Sequence, residues 1–293
     1  MSEKVFKTID EQIEILKKRG LFISDNDPEI REFLYRNNYY RISGYSLTLR
    51  DHDSFYENAQ FQNIMDIYHF DHELRHLLLQ YIEKIEVAVK SVYAYEFAKL
   101  YSGTGYLSSQ NFTDTAQYLE IIEKGNRQKE KSLAHEAFLQ HYVNDRQEDL
   151  PIWIFVDLLT ISDISLLYKI SQPELKKILA EAFQLKTNSG TEILSEYLHG
   201  LTILRNFCAH GSRLYNRLFV RKPSLNSKEK KLLIVENAKV DNAHLYGFIL
   251  VMRRILTAEE FLSLKLSLIR LTEKYPFVSL RYYGFRDDWK DIL

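Results

Sequence analysis

The sequence contains few of the residues that interrupt or cross-link a polypeptide chain. Its 293 residues include one cysteine, Cys208, together with five prolines and ten glycines. A single cysteine excludes a disulfide within the chain and is typical of proteins from a reducing compartment. So few helix-breaking residues over this length favour long helices joined by short turns. Aromatic residues are abundant by contrast, with 20 tyrosines and 17 phenylalanines.

Long hydrophobic runs and an excess of charge of either sign are also lacking. No stretch of about 18 consecutive apolar residues occurs, so no membrane span is expected. The N-terminal segment MSEKVFKTIDEQ has no apolar core of an export signal, which predicts a cytoplasmic protein. The 39 basic and 40 acidic side chains give a formal net charge of −1. RNA binding would therefore require a local basic patch, because the overall charge does not attract phosphates.

Hydrophobic periodicity predicts an all-α fold. Thr8 followed by Glu11 forms a capping-box pattern that starts a first helix, and Gly20 ends it. Apolar residues at helical spacing predict one long or kinked helix over 61–99. The tyrosine-rich segment 33–50 weakens any helix prediction and is compatible with an irregular lid. Further helices are expected at 114–143, 151–170, 173–185, 190–209, 241–257 and 258–274, with a loop or short hairpin at 211–240.

No repeat, low-complexity segment or linker divides the chain. We interpret residues 1–293 as a single domain, a helical bundle with aromatic-rich N-terminal and C-terminal decorations. Residues 1–60 are a candidate N-terminal extension or lid.

The segment LTILRNFCAHGSRLYNR, residues 201–217, places polar residues in an otherwise apolar helix. At 100° per residue, one apolar stripe faces the core. Its members are Leu194, Tyr197, Leu198, Leu201, Leu204 and Cys208. Asn206 and His210 lie nearly opposite that stripe, with Ile203 and Phe207 beside them. This second, mixed face predicts a partner, either another helix or a second subunit in a homodimer.

Arg205, Asn206 and His210 suit the cleavage of RNA without a metal or other cofactor. A histidine side chain titrates near neutral pH and can accept or donate a proton. An arginine can neutralise phosphate charge in the transition state, and the RNA 2′-hydroxyl supplies the nucleophile. On an ideal helix Arg205 and His210 point about 140° apart. They converge only if the arginine reaches around the helix or the helix ends near Gly211.

Each of these residues also has a structural explanation. Arg205 can pair with a carboxylate such as Glu86 or Asp157. The helix dipole favours a histidine such as His210 at the end of a helix. Asn206 can orient the histidine, cap a turn or touch RNA.

Two further segments carry candidate RNA-binding residues. The candidates are Arg213, Asn216 and Arg217 after the helix, and Tyr39, Tyr40 and Arg41 near the N-terminus. The first group can hold phosphates or make local hydrogen bonds in a loop. The second group mixes rings with a cation, as single-stranded nucleic-acid sites do, or forms a packed lid. RNA is the expected partner, and neither DNA nor a membrane is expected.

The long helix at 61–99 carries two other polar groups. Glu86 and Lys90 have the spacing of a structural ion pair, with a supporting role in the active site as the alternative. His69, His72 and His76 share one helix face and could in principle gather a metal. No second cluster completes such a site, so no metal is expected.

The block RNFCAHGSRLYNR resembles the RN-x-CAH-x-SRLWNR block of the AbiD/AbiF-like abortive-infection family of bacterial phage-defence proteins. RNFCAH also fits the R-x4-H motif of the HEPN superfamily, helical proteins many of which are metal-independent RNases. Further blocks resemble the family in the same order: FKTIDEQIEILKKRGL, NNYYRISGY, YHFDHELRHLLLQYIEKIEVAVKS, LPIWIFVDLLT and YGFRDDW. The chain departs from the family pattern at Gly211, Tyr215 and Lys90.

The resemblance implies an HEPN-like helical bundle and a growth-arresting endoribonuclease. In it, Arg205 would stabilise phosphate and His210 would act as general acid and base. HEPN RNases usually place two such motifs across a dimer. Some relatives are encoded beside a structured noncoding RNA, which implies an RNA or protein partner that restrains the toxin. The alternative is an RNA-binding or phage-sensing module whose R-x4-H motif no longer cleaves, which the near-neutral net charge favours.

Overall fold

The computed structural model describes residues 5–24, 27–236 and 239–293. The all-α prediction is confirmed, because the regular structure is helical apart from two short antiparallel ribbons and isolated bridges. The helices are α1 (Ile9–Lys18), α2 (Pro28–Asn37), α3 (Tyr39–Tyr45), α4 (Phe61–Tyr101), α5 (Thr115–Ser132), α6 (Ala137–Gln140), α7 (Ile152–Phe155), α8 (Ile161–Ile170), α9 (Pro173–Ala182), α10 (Gly190–Ala209), α11 (Ser227–Lys230), α12 (Leu245–Ile255), α13 (Ala258–Lys274) and α14 (Trp289–Ile292). The ribbons pair β1 (Arg50–Asp51) with β2 (Ser54–Phe55), and β3 (Val235–Glu236) with β4 (Lys239–Val240). Among the described residues, no helix is both long enough and apolar enough to cross a membrane.

Helix α4 is the element around which the others pack. Its 41 residues run without a break and span about 60 Å at 1.5 Å per residue. No glycine or proline falls between 61 and 101, and buried side chains such as Ile64, Leu74 and Ile85 recur along the helix. Helices α3, α7, α9, α10, α12 and α13 contact it. The prediction of one long helix is confirmed.

Helix α10 has the bounds predicted from the sequence, 190–209. The whole predicted apolar stripe, from Leu194 to Cys208, is buried against α4, α8, α9 and α12. A side chain at Gly200 would come within 2.9 Å of the Phe248 ring on α12. Glycine therefore allows these two helices to approach closely, which holds α10 firmly in the core.

Local signals at two other places are also confirmed. Thr8 and Glu11 form the predicted capping box at the start of α1, each side chain bonding the other's backbone N–H. The segment predicted as a loop or short hairpin at 211–240 contains the β3–β4 ribbon and the single turn of α11.

The prediction of an irregular lid at 33–50 is wrong, because most of that segment is helical. Helix α2 continues to Asn37, and α3 begins directly after Asn38. Asn38 has a φ of 51°, and its side chain accepts the backbone N–H of Tyr40 at 2.8 Å. It thus turns the chain and caps the next helix. Burial of Phe33 and Tyr45 outweighs the weak helix propensity of the tyrosines.

Two predicted helices are interrupted, and the two predicted at 173–185 and 241–257 are shorter by three or more residues. The helix predicted at 114–143 ends at Ser132 and is followed by α6 and a π-helical turn, His141–Arg146. The helix predicted at 151–170 is divided into α7 and α8. Thr160 explains the division, because its side chain caps the N–H of Asp163 and starts a new helix there.

The C-terminal aromatic residues are part of the core rather than a decoration. Tyr283, Phe285 and Trp289 are all buried. The Phe285 ring contacts the rings of Trp289 and Tyr246. The Tyr283 hydroxyl donates to Asp71 of α4 at 2.9 Å. The end of the chain is therefore tied to the central helix.

Candidate active site

Helix α10 ends at a left-handed glycine, as predicted. His210 is the C-cap residue, and Gly211 follows with a φ of +64°. The N–H of Ser212 bonds the carbonyl of Phe207 at 2.9 Å, and the N–H of Gly211 bonds that of Cys208 at 3.2 Å. These two bonds form a Schellman motif, which satisfies the last carbonyls of the helix. His210 is exposed at this helix end.

Arg205 is half-buried and has no carboxylate partner in the described part of the chain. Its guanidinium donates to the Asn206 side-chain oxygen at 3.4 Å. Neither Glu86 nor Asp157, the two carboxylates considered from the sequence, pairs with it, and Glu86 instead binds Lys90. The bond to Asn206 is the one side-chain hydrogen bond of Arg205 within the described ranges, so the other guanidinium donors are available to a ligand.

The residues after α10 are held by one buried carboxylate. We call residues 211–217 the motif loop. Asp71 has no exposed surface and accepts the backbone N–H groups of Leu214 at 3.2 Å and Tyr215 at 2.8 Å. It also accepts the hydroxyls of Tyr45 at 2.8 Å and Tyr283 at 2.9 Å. One side chain of α4 thus joins the motif loop to both ends of the chain.

Arg75 completes this arrangement as a buried cation. It lies one turn after Asp71 on α4, is 2 % exposed and forms an ion pair with that carboxylate. Its guanidinium also donates to the carbonyl of Ser212 at 3.4 Å, at the start of the motif loop. Neither positioning role was predicted from the sequence, although an Asp and an Arg four residues apart in an apolar helix were a usable signal.

Three other arginines, one on α3 and two within the motif loop, bond carbonyl groups instead of carboxylates. Arg41 of α3 donates to the Gly211 carbonyl, Arg213 donates to the Tyr215 carbonyl at 2.7 Å, and Arg217 donates to the Arg213 carbonyl. None of the three has an ion pair with any described carboxylate. Burial lowers the pKa of the Arg217 guanidinium, and the neighbouring Arg213 lowers it further. Arg41, Arg213 and Arg217 together form a local basic patch at the motif loop.

The N-terminal segment lies directly on the motif loop. A side chain at Gly44 of α3 would come within 3.3 Å of the Arg213 guanidinium, and Thr48 hydrogen-bonds the Tyr215 hydroxyl at 2.6 Å. Tyr40 is 86 % exposed, whereas Tyr39 packs partly against the core. The structure thus brings this segment to the basic patch and leaves one aromatic ring free for stacking.

Asn216 has a clear structural role. Its φ is 49°, a conformation that asparagine tolerates better than most residues, and its N–H bonds the Tyr282 carbonyl at 3.0 Å. Its position therefore favours the loop-forming interpretation over a phosphate contact.

The second face of α10 exposes less apolar surface than the sequence predicted. The Phe207 ring contacts the Phe219 ring at 5.7 Å between centroids, and the Arg217 guanidinium lies over it at 4.4 Å. Ile203 also packs against the core. Exposed apolar side chains occur instead in the adjoining segment, where Leu218 is 67 % and Val220 is 96 % exposed.

Glu86 and Lys90 are not brought to the motif loop. They form an ion pair of 2.9 Å, as their spacing predicted. Glu86 lies 15 residues after Asp71 on α4, which is about 22 Å along the helix. A direct supporting role at His210 therefore has no geometric basis within one chain.

The histidines of α4 and the cysteine of α10 add no reactive centre. His72 and His76 have ring centroids 4.5 Å apart, and burial, together with His76, lowers the pKa of His72. No group of three or more ligand residues that could hold a metal occurs in the described ranges. Burial raises the pKa of the Cys208 thiol to about 12, so it is an inert core residue.

The sequence model of the Abi-like protein family matches residues 32–216. The chain belongs to the Abi-like family. The matched region covers more than half of the chain and associates it with abortive infection, a defence against phage. It begins in α2 and ends within the motif loop, so it contains Asp71, Arg75 and the R-x4-H motif. Comparisons with curated proteins and with solved structures found no match.

Proposed function

We propose that this Abi-like chain is an AbiD/AbiF-like, HEPN-type endoribonuclease that needs no metal and arrests growth during phage infection. One observation carries the proposal. An exposed histidine, His210, stands beside a basic patch whose arginines bond carbonyls and keep donors for phosphate. Such a patch supplies the attraction to RNA that the net charge of −1 does not.

In the proposed reaction, His210 removes the proton from an RNA 2′-hydroxyl. The 2′-oxygen attacks phosphorus, and the bond from phosphorus to the 5′-oxygen breaks. The leaving 5′-oxygen must gain a proton, and one histidine cannot give and take a proton in the same step. Gly211 occupies the position next to His210, so the second proton would come from the His210 imidazolium of a second copy.

Arg205 and Asn206 have different roles in this scheme. The guanidinium of Arg205 has no carboxylate partner among the described residues and neutralises charge on the phosphate in the transition state. Asn206 lies on the same helix face as His210 and accepts a hydrogen bond from Arg205, so it orients the arginine. Arg205 and His210 diverge by about 140° on the helix, which also suits a site completed by a second copy.

We expect the second copy to cover the exposed apolar segment that follows the motif loop. Val220 and His199 line the same pocket at α10, and with Leu218 the valine leaves apolar surface in water. Val220→Asp should convert a dimer into a monomer, as measured by light scattering. Val235→Asp, at a 61 % exposed position of the β3 strand, is the matched control. A wild-type monomer, or a V220D dimer, would count against this interface.

The basic patch and α3 form the proposed RNA-binding surface. Reversing the charge of Arg213 and Arg217 together should weaken binding to single-stranded RNA. It should also reduce the slope of the logarithm of the binding constant against the logarithm of the salt concentration by about 1.4, at about 0.7 per phosphate contact. Arg127→Glu with Arg146→Glu is the control, because both arginines are exposed and lie on α5 and the π-helical turn rather than on α3 or the motif loop. Equal affinity and equal salt slope in the two double variants would exclude the patch as the RNA contact.

We further propose that an RNA, such as a structured noncoding RNA, restrains the enzyme by occupying the basic patch.

The second candidate function is a non-catalytic RNA-binding or phage-sensing module. It is favoured by the absence, among described residues, of any contact between Arg205 and His210. Two assays separate these functions: incubation of purified protein with host RNA in EDTA, and growth of cells that express the protein. Cleavage of the RNA supports the enzyme, and growth arrest without cleavage supports the binding module.

A further inference from the structure

A second basic site lies mostly in the part of the chain that follows the matched family region. A cavity of about 780 Å³ is formed between α11, α12 and α13, within the size range of small-molecule sites. None of its described lining residues belongs to α10 or to the motif loop. The cavity is therefore independent of the proposed RNase site.

The side chains that line this cavity are strongly basic. Lys228, Arg253, Arg254 and Lys265 line it, and Glu229 is the one acidic side chain among its described lining residues. Glu229 is already occupied, because it pairs with Arg254 and accepts the backbone N–H of Asn226 at 2.8 Å.

The other three cations have no carboxylate partner within the described ranges. Lys228 and Arg253 are exposed at the cavity, whereas Lys265 is half-buried. The Arg253 guanidinium lies 5.7 Å from the centroid of the Phe261 ring. Three uncompensated charges at one cavity, in a chain of net charge −1, indicate an anionic ligand.

Much of the remaining cavity wall is apolar. Leu232, Leu250, Leu256 and Phe261 line it, so a phosphate alone would leave this wall in water. Gln184 also lines the cavity, and its side-chain amide makes no hydrogen bond in the part of the chain that the structure describes. An amide can both donate to and accept from the edge of a nucleobase.

We propose that this cavity binds a nucleotide. Arg253, Lys265 and Lys228 hold the phosphates, and the base lies against the apolar wall near Gln184. This is a binding function separate from RNA cleavage, and a ligand at this site would stabilise the C-terminal helices of the bundle.

Calorimetric titration of the full chain with ATP, adenosine and tripolyphosphate tests the proposal. ATP should bind with a Kd of about 10–100 µM, and each fragment at least about tenfold more weakly. Tripolyphosphate binding as tightly as ATP would show a simple anion site, and adenosine doing so would exclude the role of the cations. No saturable ATP binding up to about 5 mM would overturn the proposal.

Variants locate the bound ATP. Arg253→Ala with Lys265→Ala should raise the Kd for ATP about tenfold or more, and Lys18→Ala with Lys131→Ala, both exposed elsewhere, should leave it unchanged. Lys228→Glu, on the exposed rim, should weaken ATP binding even if the double variant folds poorly.

Reversing the charge of Arg213 and Arg217 should preserve ATP binding while it weakens RNA binding. Loss of ATP affinity in that variant would place the nucleotide at the motif loop and overturn the proposal. The proposed nucleotide site and the proposed RNase can therefore be disproved by separate results.

Discussion

Replacing Asp71 by asparagine is expected to lower the free energy of unfolding by about 3–5 kcal/mol, the usual cost of breaking a buried ion pair. The asparagine side chain has the same size, but it presents an NH₂ group where an oxygen now accepts N–H and O–H donors. It also leaves Arg75 as a buried cation without its anion. Urea denaturation followed by circular dichroism measures the change.

Asp66→Asn is the matched control for that prediction. Asp66 lies on the same helix, but its partner is the exposed side chain of Gln62 at 2.9 Å, so its replacement should change stability by about 0.5 kcal/mol or less. Adding Arg75→Met to Asp71→Asn should recover part of the lost stability, because no unpaired charge then remains buried. An Asp71→Asn variant within about 1 kcal/mol of wild type would contradict the assigned role of this carboxylate.

His210→Ala is expected to reduce the rate of RNA cleavage by about 10²–10⁴-fold while leaving the fold intact. The imidazole is exposed and, among described residues, makes no side-chain hydrogen bond, so its removal should change the free energy of unfolding by about 0.5 kcal/mol or less. Single-turnover cleavage of a labelled RNA measures the rate, and denaturation of the same samples measures the stability.

His135→Ala is the control, since this histidine is exposed after α5, outside α10 and the motif loop. Its cleavage rate should equal that of wild type. Arg205→Ala should also lose activity with little loss of stability, because the arginine has no described carboxylate partner to leave unpaired. A His210→Ala variant with wild-type cleavage would remove the histidine from the mechanism.

Local sequence signals were sufficient to place the helices that carry the site. The bounds of α10, its buried stripe and its glycine stop followed from spacing within about 20 residues, and the length of α4 followed from the lack of breakers. The failures came from competing local chemistry. Asn38 caps a helix where the tyrosine-rich composition predicted an irregular segment, and Thr160 caps one where apolar periodicity predicted a single helix.

The supports of the site could not be predicted because they join distant parts of the chain. The contacts from Asp71 to the motif loop and to Tyr283 link residues more than 140 positions apart. The same is true of Arg41 and Gly211. Phe207 was expected to remain for a partner, and its contact with Phe219 depends on the course of the loop. The chemically reactive residues were therefore easier to find than the residues that position them.

The central claim is that His210 promotes attack by the RNA 2′-hydroxyl without a metal. The most direct measurement is analysis of the ends of RNA fragments made by the purified wild-type chain in EDTA, beside His210→Ala. We expect a 2′,3′-cyclic phosphate or 3′-phosphate on one side of each cut and a 5′-hydroxyl on the other, with little product from the variant. Fragments carrying 5′-phosphate and 3′-hydroxyl ends, or cleavage that stops in EDTA, would contradict this claim.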